Sequence, residues 1–230
     1  MSRICIVIPT YQESENLPKL IEELEKTLKG EDFQLLVVDD NSPDGTADIA
    51  EKMNRRYKNI LVHRRKDRFG IGEAVRDGLK IATSLPKCEH IITMDADLSH
   101  NPKEIPRLLR ETKNCDLVQG SRYVKGGHII GWSPFRMMTS YSGNLLCRLL
   151  FKTGLHDHSS NFRAYSRKCA EAIITDTQCR WYEWTIDAIL VAKDHNFKVK
   201  EVPITFTNRT LGKSKLRTFH IFMWIQDVSK

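Results

Sequence analysis

Two aspartates, Asp95 and Asp97, stand two residues apart at the end of an apolar, β-branched run at residues 91–94. Such a run is typical of a buried β-strand. Side chains at positions i and i+2 of an extended segment point the same way, so both carboxylates can face one pocket. A divalent cation would relieve their mutual repulsion, and oxygen donors favour Mg²⁺ or Mn²⁺. The alternative is a solvated turn ahead of the Asn101-Pro102 helix start, because D-x-D is a short motif with many chance matches.

The elements that must position these carboxylates follow from the hydrophobic pattern. Continuous apolar runs predict strands that are buried on both faces of a parallel sheet. Helical periodicity between the runs predicts a right-handed, doubly wound α/β fold. The predicted strands cover residues 4–8, 35–38, 60–62, 91–94, 116–119 and 199–207, with a polar connection at 157–165. The predicted helices cover residues 16–28, 73–83, 102–113, 132–151 and 181–195, and two more begin near 46 and 167.

Polar side chains follow three of these strands. Because the carboxyl ends of parallel strands form the ligand-binding edge of such a sheet, the three loops should meet there. They could hold a nucleoside by its base and ribose, with a metal on its diphosphate. Basic side chains would complement the phosphates. The strand-end residues are Tyr11, Glu13, Asp39, Asp40, Asp95 and Asp97, and the basic ones are Arg122, Arg209, Lys213 and Lys215.

Composition limits the partners. The 230 residues carry a net charge of +7, which favours an anionic partner such as a nucleotide or an anionic lipid. No helix-turn-helix, RNP or zinc-finger pattern is present, so we do not expect nucleic acid binding. The six cysteines are scattered, which predicts a reducing compartment without a disulfide framework or structural zinc. We expect one domain over residues 1–230, with no signal peptide and no apolar run near the roughly 18 residues of a transmembrane helix.

Two segments allow more than one interpretation. The Gly70–Gly72 G-x-G lacks the third glycine of a dinucleotide fingerprint, which argues against a nicotinamide or flavin site. The segment 132–151 combines aromatic, Met and Leu residues with only two cations, Arg136 and Arg148. Core packing is the favoured interpretation there, and an amphipathic helix that contacts lipid is the alternative.

The motifs together resemble glycosyltransferase family 2 and, within it, the dolichyl-phosphate mannose synthases. The resemblance covers nearly the whole chain and implies a GT-A fold. It also implies inverting transfer of mannose from GDP-mannose to a polyprenyl phosphate. The motifs that carry it are IVIPTYQESENL, LLVVDDNSPDGT, GIGEAVRDGL, MDADLSHNP, GSRYVKGG, NFRAYSR, EVPITF and NRTLGKSKL.

The resemblance assigns roles by position. It implies that Asp95, Asp97 and Arg122 are catalytic and that Asp97 binds the metal, while Ser99 stands where some members have a glutamine ligand. Arg122, Arg209 and Lys215 match positions that bind phosphate groups of donor or acceptor, and Lys213 is expected to join them on the acceptor phosphate. It favours a mobile phosphate-binding lid over a solvated basic turn at 209–215. The implied donor-binding residues are Pro9, Tyr11, Glu13, Val38, Asp40, Asp95, Ala96, Asp97, Arg122, Arg209 and Lys215.

The chain also departs from the family pattern. Asn161 stands where many members have glycine, RWYEWTID replaces a more usual F-Q-x-E, and Asp187 takes the place of that glutamate. Alternatives are therefore a transferase with another donor such as UDP-glucose, a non-catalytic nucleotide-binding subunit and, last, a sugar nucleotidyltransferase. The last should carry a Gly-rich phosphate loop after the first strand, where this chain has Pro-Thr-Tyr-Gln-Glu.

A lipid-phosphate acceptor implies a place at the membrane. We expect the cytoplasmic face, of the endoplasmic reticulum in a eukaryote or of the plasma membrane in a prokaryote. Many family members carry transmembrane helices after this region, whereas the sequence stops at Lys230. Either the chain is truncated or a small membrane subunit recruits it. Residues 205–230 would supply a basic acceptor loop and a helix that docks on membrane or partner.

Overall fold

The computed structural model describes residues 3–66, 70–177 and 181–209. Strands and helices alternate over the first half, as the apolar runs predicted. A 3₁₀ turn, Pro102–Glu104, precedes the fourth helix. The strands are β1 (Arg3–Thr10), β2 (Phe33–Asp39), β3 (Ile60–Arg64), β4 (Cys88–Thr93), β5 (Leu117–Ser121), β6 (His128–Ile130), β7 (Arg163–Ser166), β8 (Val199–Pro203) and β9 (Thr205–Thr207). The helices are α1 (Leu17–Thr27), α2 (Thr46–Tyr57), α3 (Ile71–Ser84), α4 (Ile105–Glu111), α5 (Pro134–Phe151), α6 (Arg167–Asp176) and α7 (Trp184–Asp194).

A seven-stranded sheet has the order β3-β2-β1-β4-β7-β5-β8. β1 pairs in parallel with β2 and β4, β2 with β3, and β5 with β8. The carboxyl ends of β1, β2 and β4 therefore lie along one edge. This arrangement confirms the predicted mostly parallel sheet and brings the loops after Thr10, Asp39 and Thr93 together.

β7 corrects the prediction, since it lies antiparallel between β4 and β5 in a region expected to include only a polar connection. Its first residue, Arg163, is fully buried. The guanidinium donates to the carbonyl oxygens of Ser160, His158 and Thr185 at 3.0, 3.2 and 2.5 Å. A buried arginine that donates to three backbone carbonyls leaves no hydrophobic signal in the sequence, so periodicity missed this strand.

The last predicted strand, 199–207, is also two elements. β8 continues the large sheet, whereas β9 pairs in parallel with β6 in a separate two-stranded sheet. Only Ile204 separates them, and its amide donates to the Ser121 carbonyl at 3.0 Å. Because β9 bridges to His100 through Phe206, this small sheet lies beside the loop of the paired aspartates.

The sheet is covered by apolar residues on both faces. Ile4, Ile6 and Ile8 of β1 pack into one core cluster, and Cys5 and Val7 into the other. Helix α3 approaches β1 so closely that a Cβ on Gly78 would lie 2.3 Å from Val7 Cγ1. Successive side chains of β1 thus enter apolar clusters on opposite faces of the sheet. Because both faces are buried, the β1 sequence is apolar at every position from Ile4 to Ile8 and not at every second one.

Helix α5 differs from the favoured prediction of core packing. Within its 18 residues only Asn144 and Cys147 are buried. The exposed apolar side chains include Phe135 at 74%, Leu149 at 65% and Met138 at 61%. An apolar surface on this scale indicates a contact with something outside the described chain. The prediction of core packing was therefore wrong for this helix, and the lipid-contact alternative stays a prediction.

The cysteine prediction also needs correction. Cys5 and Cys88 lie on the paired strands β1 and β4 with Cα atoms 6.0 Å apart, and they form a disulfide. The spacing of scattered cysteines does not reveal which strands are neighbours, so the sequence missed this pair. Across residues 3–66, 70–177 and 181–209, no helix has both the length and the apolar character needed to cross a bilayer.

Candidate active site

A cavity opens at the carboxyl edge of β1, β2 and β4. It collects eight of the predicted donor-binding residues from four separate loops. The Gly70 amide, the start of α3 and two aromatic side chains from the loop before α7 complete the wall. The lining residues are Pro9, Thr10, Tyr11, Glu13, Asp40, Gly70, Ile71, Ala74, Asp95, Ala96, Asp97, Trp181, Tyr182 and Arg209.

Three predicted site residues lie elsewhere. Val38 is fully buried in the core, and Arg122 and Ser99 do not line the cavity. Ser99 is buried and donates its amide to Asp97 Oδ1 at 3.0 Å. Lys213 and Lys215, together with the predicted docking helix, fall outside the described residues.

Asp97 is held from two sides. Its Oδ1 accepts the Ser99 amide, and its Oδ2 lies 2.6 Å from Arg209 Nη2. The Asp97 side chain is 5% exposed and that of Arg209 is 25% exposed. Thr207, at the end of β9, donates its amide to the Ser99 carbonyl at 3.1 Å. The small sheet and the aspartate loop thus form one hydrogen-bonded unit that presents Arg209 to Asp97.

Asp95 is fixed by two residues. Its amide donates to His100 Nδ1 at 3.1 Å, and its Oδ1 accepts the Asn161 amide at 3.1 Å. Burial raises the pKa of Asp95, His100 lowers it, and the nearby Asp97 charge raises it. His100 also stacks on Phe162, with ring centroids 5.0 Å apart. Asn161, one of the family departures, therefore acts directly on the aspartate motif.

Arg122 belongs to a buried ion pair next to the cavity. Its Nε and Nη2 donate to the two Asp157 oxygens at 2.7 Å each, and Nη2 also donates to Ser159 Oγ at 2.6 Å. Although burial alone would raise the pKa of Asp157, the Arg122 charge and hydrogen bonds hold it below its usual value. The catalytic and phosphate-binding roles given to Arg122 remain predictions.

Arg136 is a cation whose importance the sequence did not reveal. It extends from α5 over the Trp132 ring at 4.0 Å and donates to Asn208 Oδ1 at 3.1 Å. Its pKa is lowered by burial and by the charges of Arg122 and Arg209. Arg122 and Arg209 are each paired with a carboxylate, and Arg136 adds a third guanidinium beside them that offers hydrogen-bond donors to an anion. The sequence feature that could have identified Arg136 is that it is one of only two cations in a long apolar helix.

The two neighbouring aspartates at the end of β2 have different roles. Asp39 is structural, since its Oδ1 accepts the Thr10 hydroxyl at 2.8 Å and its Oδ2 accepts the Ser42 amide at 2.8 Å. Asp40 lines the cavity, and its Oδ1 lies 2.5 Å from Arg65 Nη1. The sequence could not separate the pair, because both follow the same strand. No pattern in the sequence indicated that Arg65 contacts a site residue.

These features define a ligand site at the carboxyl edge of an α/β sheet. The family model described as Glycosyl transferase family 2 matches residues 5–174. The chain therefore belongs to glycosyltransferase family 2, and it is a glycosyltransferase.

Two curated bacterial relatives are similar over most of the chain. The undecaprenyl-phosphate mannosyltransferase of Micrococcus luteus is 36% identical over 215 residues, which cover 93% of this chain and 87% of the relative. The polyprenol monophosphomannose synthase of Mycolicibacterium smegmatis is 37% identical over 221 residues, which cover 93% and 81%. The predicted family resemblance is thereby confirmed.

Solved structures support the fold. Glucosyl-3-phosphoglycerate synthase from Mycobacterium tuberculosis, in complex with Mn²⁺, UDP and glucosyl-3-phosphoglycerate, superposes with a TM-score of 0.69. The identity is 18%, and the match covers 99% of this chain and 77% of the other. Its complex with Mn²⁺ and UDP-glucose also gives a TM-score of 0.69 at 18% identity, with 99% and 77% coverage. The predicted GT-A fold is confirmed.

Proposed function

We propose that this protein transfers mannose with inversion from GDP-mannose to dolichyl or another polyprenyl phosphate, in a metal-dependent reaction. The observation that carries the proposal is the cavity that brings Asp40, Asp95, Asp97 and Arg209 together. The names of the two curated relatives supply the sugar and the acceptor class. The chain spans more than four fifths of each relative, so the comparison concerns nearly whole proteins.

The donor would lie across the strand ends. Tyr11, Trp181 and Tyr182 offer aromatic surface in the cavity wall, and Asp40 offers a carboxylate acceptor. Aromatic faces stack on nucleobases, and a carboxylate accepts hydrogen bonds from base N–H groups. Asp40 thus suits the base, and Arg209, at the opposite aspartate loop, suits the diphosphate.

The residues present fit a divalent cation. Asp95 and Asp97 line the same cavity with carboxylate oxygens, the ligands that Mg²⁺ and Mn²⁺ prefer. Asp97 would be the ligand, with Asp95 positioning the donor, while Ser99 contributes by orienting Asp97 through its amide. When bound, the ion supplies charge stabilisation to the departing diphosphate.

The transfer itself needs little from the protein as a base. An oxygen of the acceptor phosphate forms a new bond to the sugar's anomeric carbon, and the bond to the donor's β-phosphate breaks, so GDP leaves with the electron pair. A phosphate monoester has a second pKa of about 6 and is largely ionised at neutral pH. The acceptor therefore needs no general base, and the contribution of the chain lies in positioning and electrostatic stabilisation.

The acceptor side would be formed by basic residues and α5. Arg136 lies close enough to Arg122 and Arg209 for their charges to lower its pKa, and it adds a guanidinium beside the two that are paired with Asp157 and Asp97. The exposed apolar side chains of α5 begin next to Arg136, and the helix could lie in the membrane surface with Arg136 near a lipid phosphate. We place the protein at the cytoplasmic face of a membrane. Lys213 and Lys215 keep their predicted role on the same phosphate.

The test is transfer of radiolabelled mannose from GDP-mannose to extractable polyprenyl phosphate by the full chain, with and without EDTA. We expect lipid-linked label that disappears on chelation and in Asp97→Ala. Arg64→Gln, a change at a 48% exposed arginine that does not line the cavity, should leave transfer intact. Transfer from UDP-glucose but not GDP-mannose would overturn the mannose assignment. Nucleotide binding without transfer from either donor, even with membranes added, would favour a non-catalytic subunit.

A further inference from the structure

Arg65 joins three carboxylates behind the cavity wall. Its Nη1 lies 2.5 Å from Asp40, its Nη2 3.0 Å from Glu73 and its Nε 2.9 Å from Asp77. The Arg65 side chain is 4% exposed, and its amide donates to the Asp39 carbonyl at 2.8 Å. Glu73 and Asp77 lie one turn apart on α3, so the guanidinium clamps the β2 and β3 ends to this helix.

Of the three carboxylates that Arg65 contacts, Asp40 and not Glu73 or Asp77 lines the cavity. Arg65 holds Asp40 Oδ1, which restrains the orientation of the carboxylate in the cavity wall. Burial raises the pKa of Asp40, and the Arg65 hydrogen bond and charge oppose that rise. An ionised carboxylate only accepts hydrogen bonds, whereas a protonated one would also present an O–H donor to the ligand. Arg65 thus controls both the direction and the chemical character of Asp40.

We propose that Arg65 is a positioning residue that sets nucleobase selectivity through Asp40. The inference rests on the proposed function in placing a nucleobase against Asp40. A fixed carboxylate acceptor favours a base edge with adjacent donors. Guanine offers N1–H and an exocyclic amino group, hypoxanthine keeps only the N1–H, and uracil offers a single N3–H. A site built around such hydrogen bonds rejects a base that lacks the matching donor.

The neighbouring residue Arg64 forms similar ion pairs away from the cavity and provides a comparison. Arg64 also contacts two carboxylates, Asp48 at 2.6 Å and Glu51 at 2.9 Å. The Arg64 side chain is 48% exposed, and none of these three residues lines the cavity. Exposed ion pairs of this kind contribute little. Arg64→Gln is therefore a matched control, since it removes a similar set of contacts one residue away.

The experiment measures affinities for GDP, IDP and UDP by calorimetry on the full chain with saturating Mn²⁺. The variants are Arg65→Gln, Arg65→Lys, Asp40→Asn, the Asp40→Asn/Arg65→Gln double variant and Arg64→Gln. We expect Arg65→Gln to weaken GDP binding about 10- to 100-fold, the range for a hydrogen bond to a charged group, and UDP binding by much less. In the Asp40→Asn background the same change should have little further effect. Arg64→Gln should behave as the wild type.

Arg65→Lys keeps a charge but cannot reach three carboxylates as a planar fork. It should therefore lose selectivity like Arg65→Gln while remaining more stable, and it decides the question if Arg65→Gln does not fold. An equal loss for all three nucleotides, or additive losses in the double variant, would overturn the proposal and leave a purely structural clamp. A wild type that prefers UDP would overturn only the assignment of GDP as the donor nucleotide. The comparison of the two single variants with the Asp40→Asn/Arg65→Gln double variant would then be made with UDP.

Discussion

Arg209 Nη2 lies 2.6 Å from Asp97 Oδ2, so the carboxylate predicted to bind metal has a cationic partner from the chain itself. Two cations compete for one carboxylate, whereas a diphosphate can accept both. Arg209 should therefore oppose metal binding to Asp97 alone and favour the binding of metal together with a nucleotide. We therefore expect metal and nucleotide to bind Asp97 and Arg209 together rather than the metal first.

Arg209→Gln tests this competition because its two effects have opposite signs. Mn²⁺ alone should bind about two- to fivefold more tightly, since a partly exposed ion pair no longer competes. GDP in the presence of Mn²⁺ should bind about tenfold or more weakly, since a charge-assisted contact to phosphate is lost. Electron paramagnetic resonance titration of free Mn²⁺, with and without GDP, measures both. Weaker binding in both titrations would show that Arg209 does not compete.

The Arg122–Asp157 pair makes a prediction about acid stability. Asp157→Asn would leave a buried guanidinium without its counter-charge, at a cost of about 3–5 kcal/mol near pH 7. The folded pKa of Asp157 lies below its usual value, so the wild-type advantage is complete above the unfolded pKa. It should shrink as the pH falls through the folded pKa and Asp157 takes up a proton.

Urea unfolding of wild type and Asp157→Asn at pH 7, 5 and 3 measures that difference. Asp32→Asn is the control, since it breaks an ion pair with Arg3 whose side chains are 36% and 42% exposed. It should cost less than about 1 kcal/mol. A comparable effect of the two substitutions at pH 7 would contradict the prediction.

His158 should make stability fall between pH 7 and pH 4. Burial, with the nearby Arg163 charge, lowers its pKa to about 4, and its Nε2 lies 2.7 Å from Thr153 Oγ1. The unfolded chain, with a histidine pKa of about 6.5, takes up the proton first, so acid favours unfolding. The loss should reach at most about 3 kcal/mol at pH 4. Urea unfolding should show a shallower pH slope for His158→Gln, and an NMR titration of His158 near pH 6.5 would contradict this.

The parts of the fold that sequence predicted depend on local patterns. The runs at 4–8, 35–38 and 91–94 identified β1, β2 and β4 because strands buried on both faces have no polar position. Their order and parallel direction then fixed where Asp40, Asp95 and Asp97 would meet. Local pattern was enough for the three loops that directly follow a strong strand, whereas Gly70, Trp181 and Tyr182 in the cavity wall were not predicted.

The parts that sequence missed depend on contacts between distant segments. Arg65 acts through Asp40, 25 positions away, and Asn161 reaches Asp95 across 66 positions. No periodicity records such pairs. For α5 the prediction of an apolar helix was correct, but the prediction that it is buried was wrong. An apolar helix has the same sequence pattern whether it faces a core or a membrane. That ambiguity leads to the most direct test of the acceptor side.

Leu149 and Leu150 are 65% and 60% exposed near the end of α5, so the double substitution to Glu should abolish membrane binding. Burial of each leucine in a bilayer is worth about 1.5–3 kcal/mol, which together amounts to a 100-fold loss or more. Flotation with anionic phosphatidylglycerol vesicles measures it. Leu61→Glu, at a 39% exposed position on β3, is the control and should still float.

Mannose transfer by the Leu149/Leu150 variant should depend on whether the acceptor lies in a membrane. The Leu149/Leu150 variant should lose activity toward a long-chain polyprenyl phosphate in vesicles but keep it toward a short, soluble one, because the cavity and Arg136 are unchanged. Loss with both acceptors would mean that α5 shapes the site itself. Normal flotation of the variant, with transfer lost in whole membranes but not in pure vesicles, would identify the α5 surface as the contact with a separate membrane subunit.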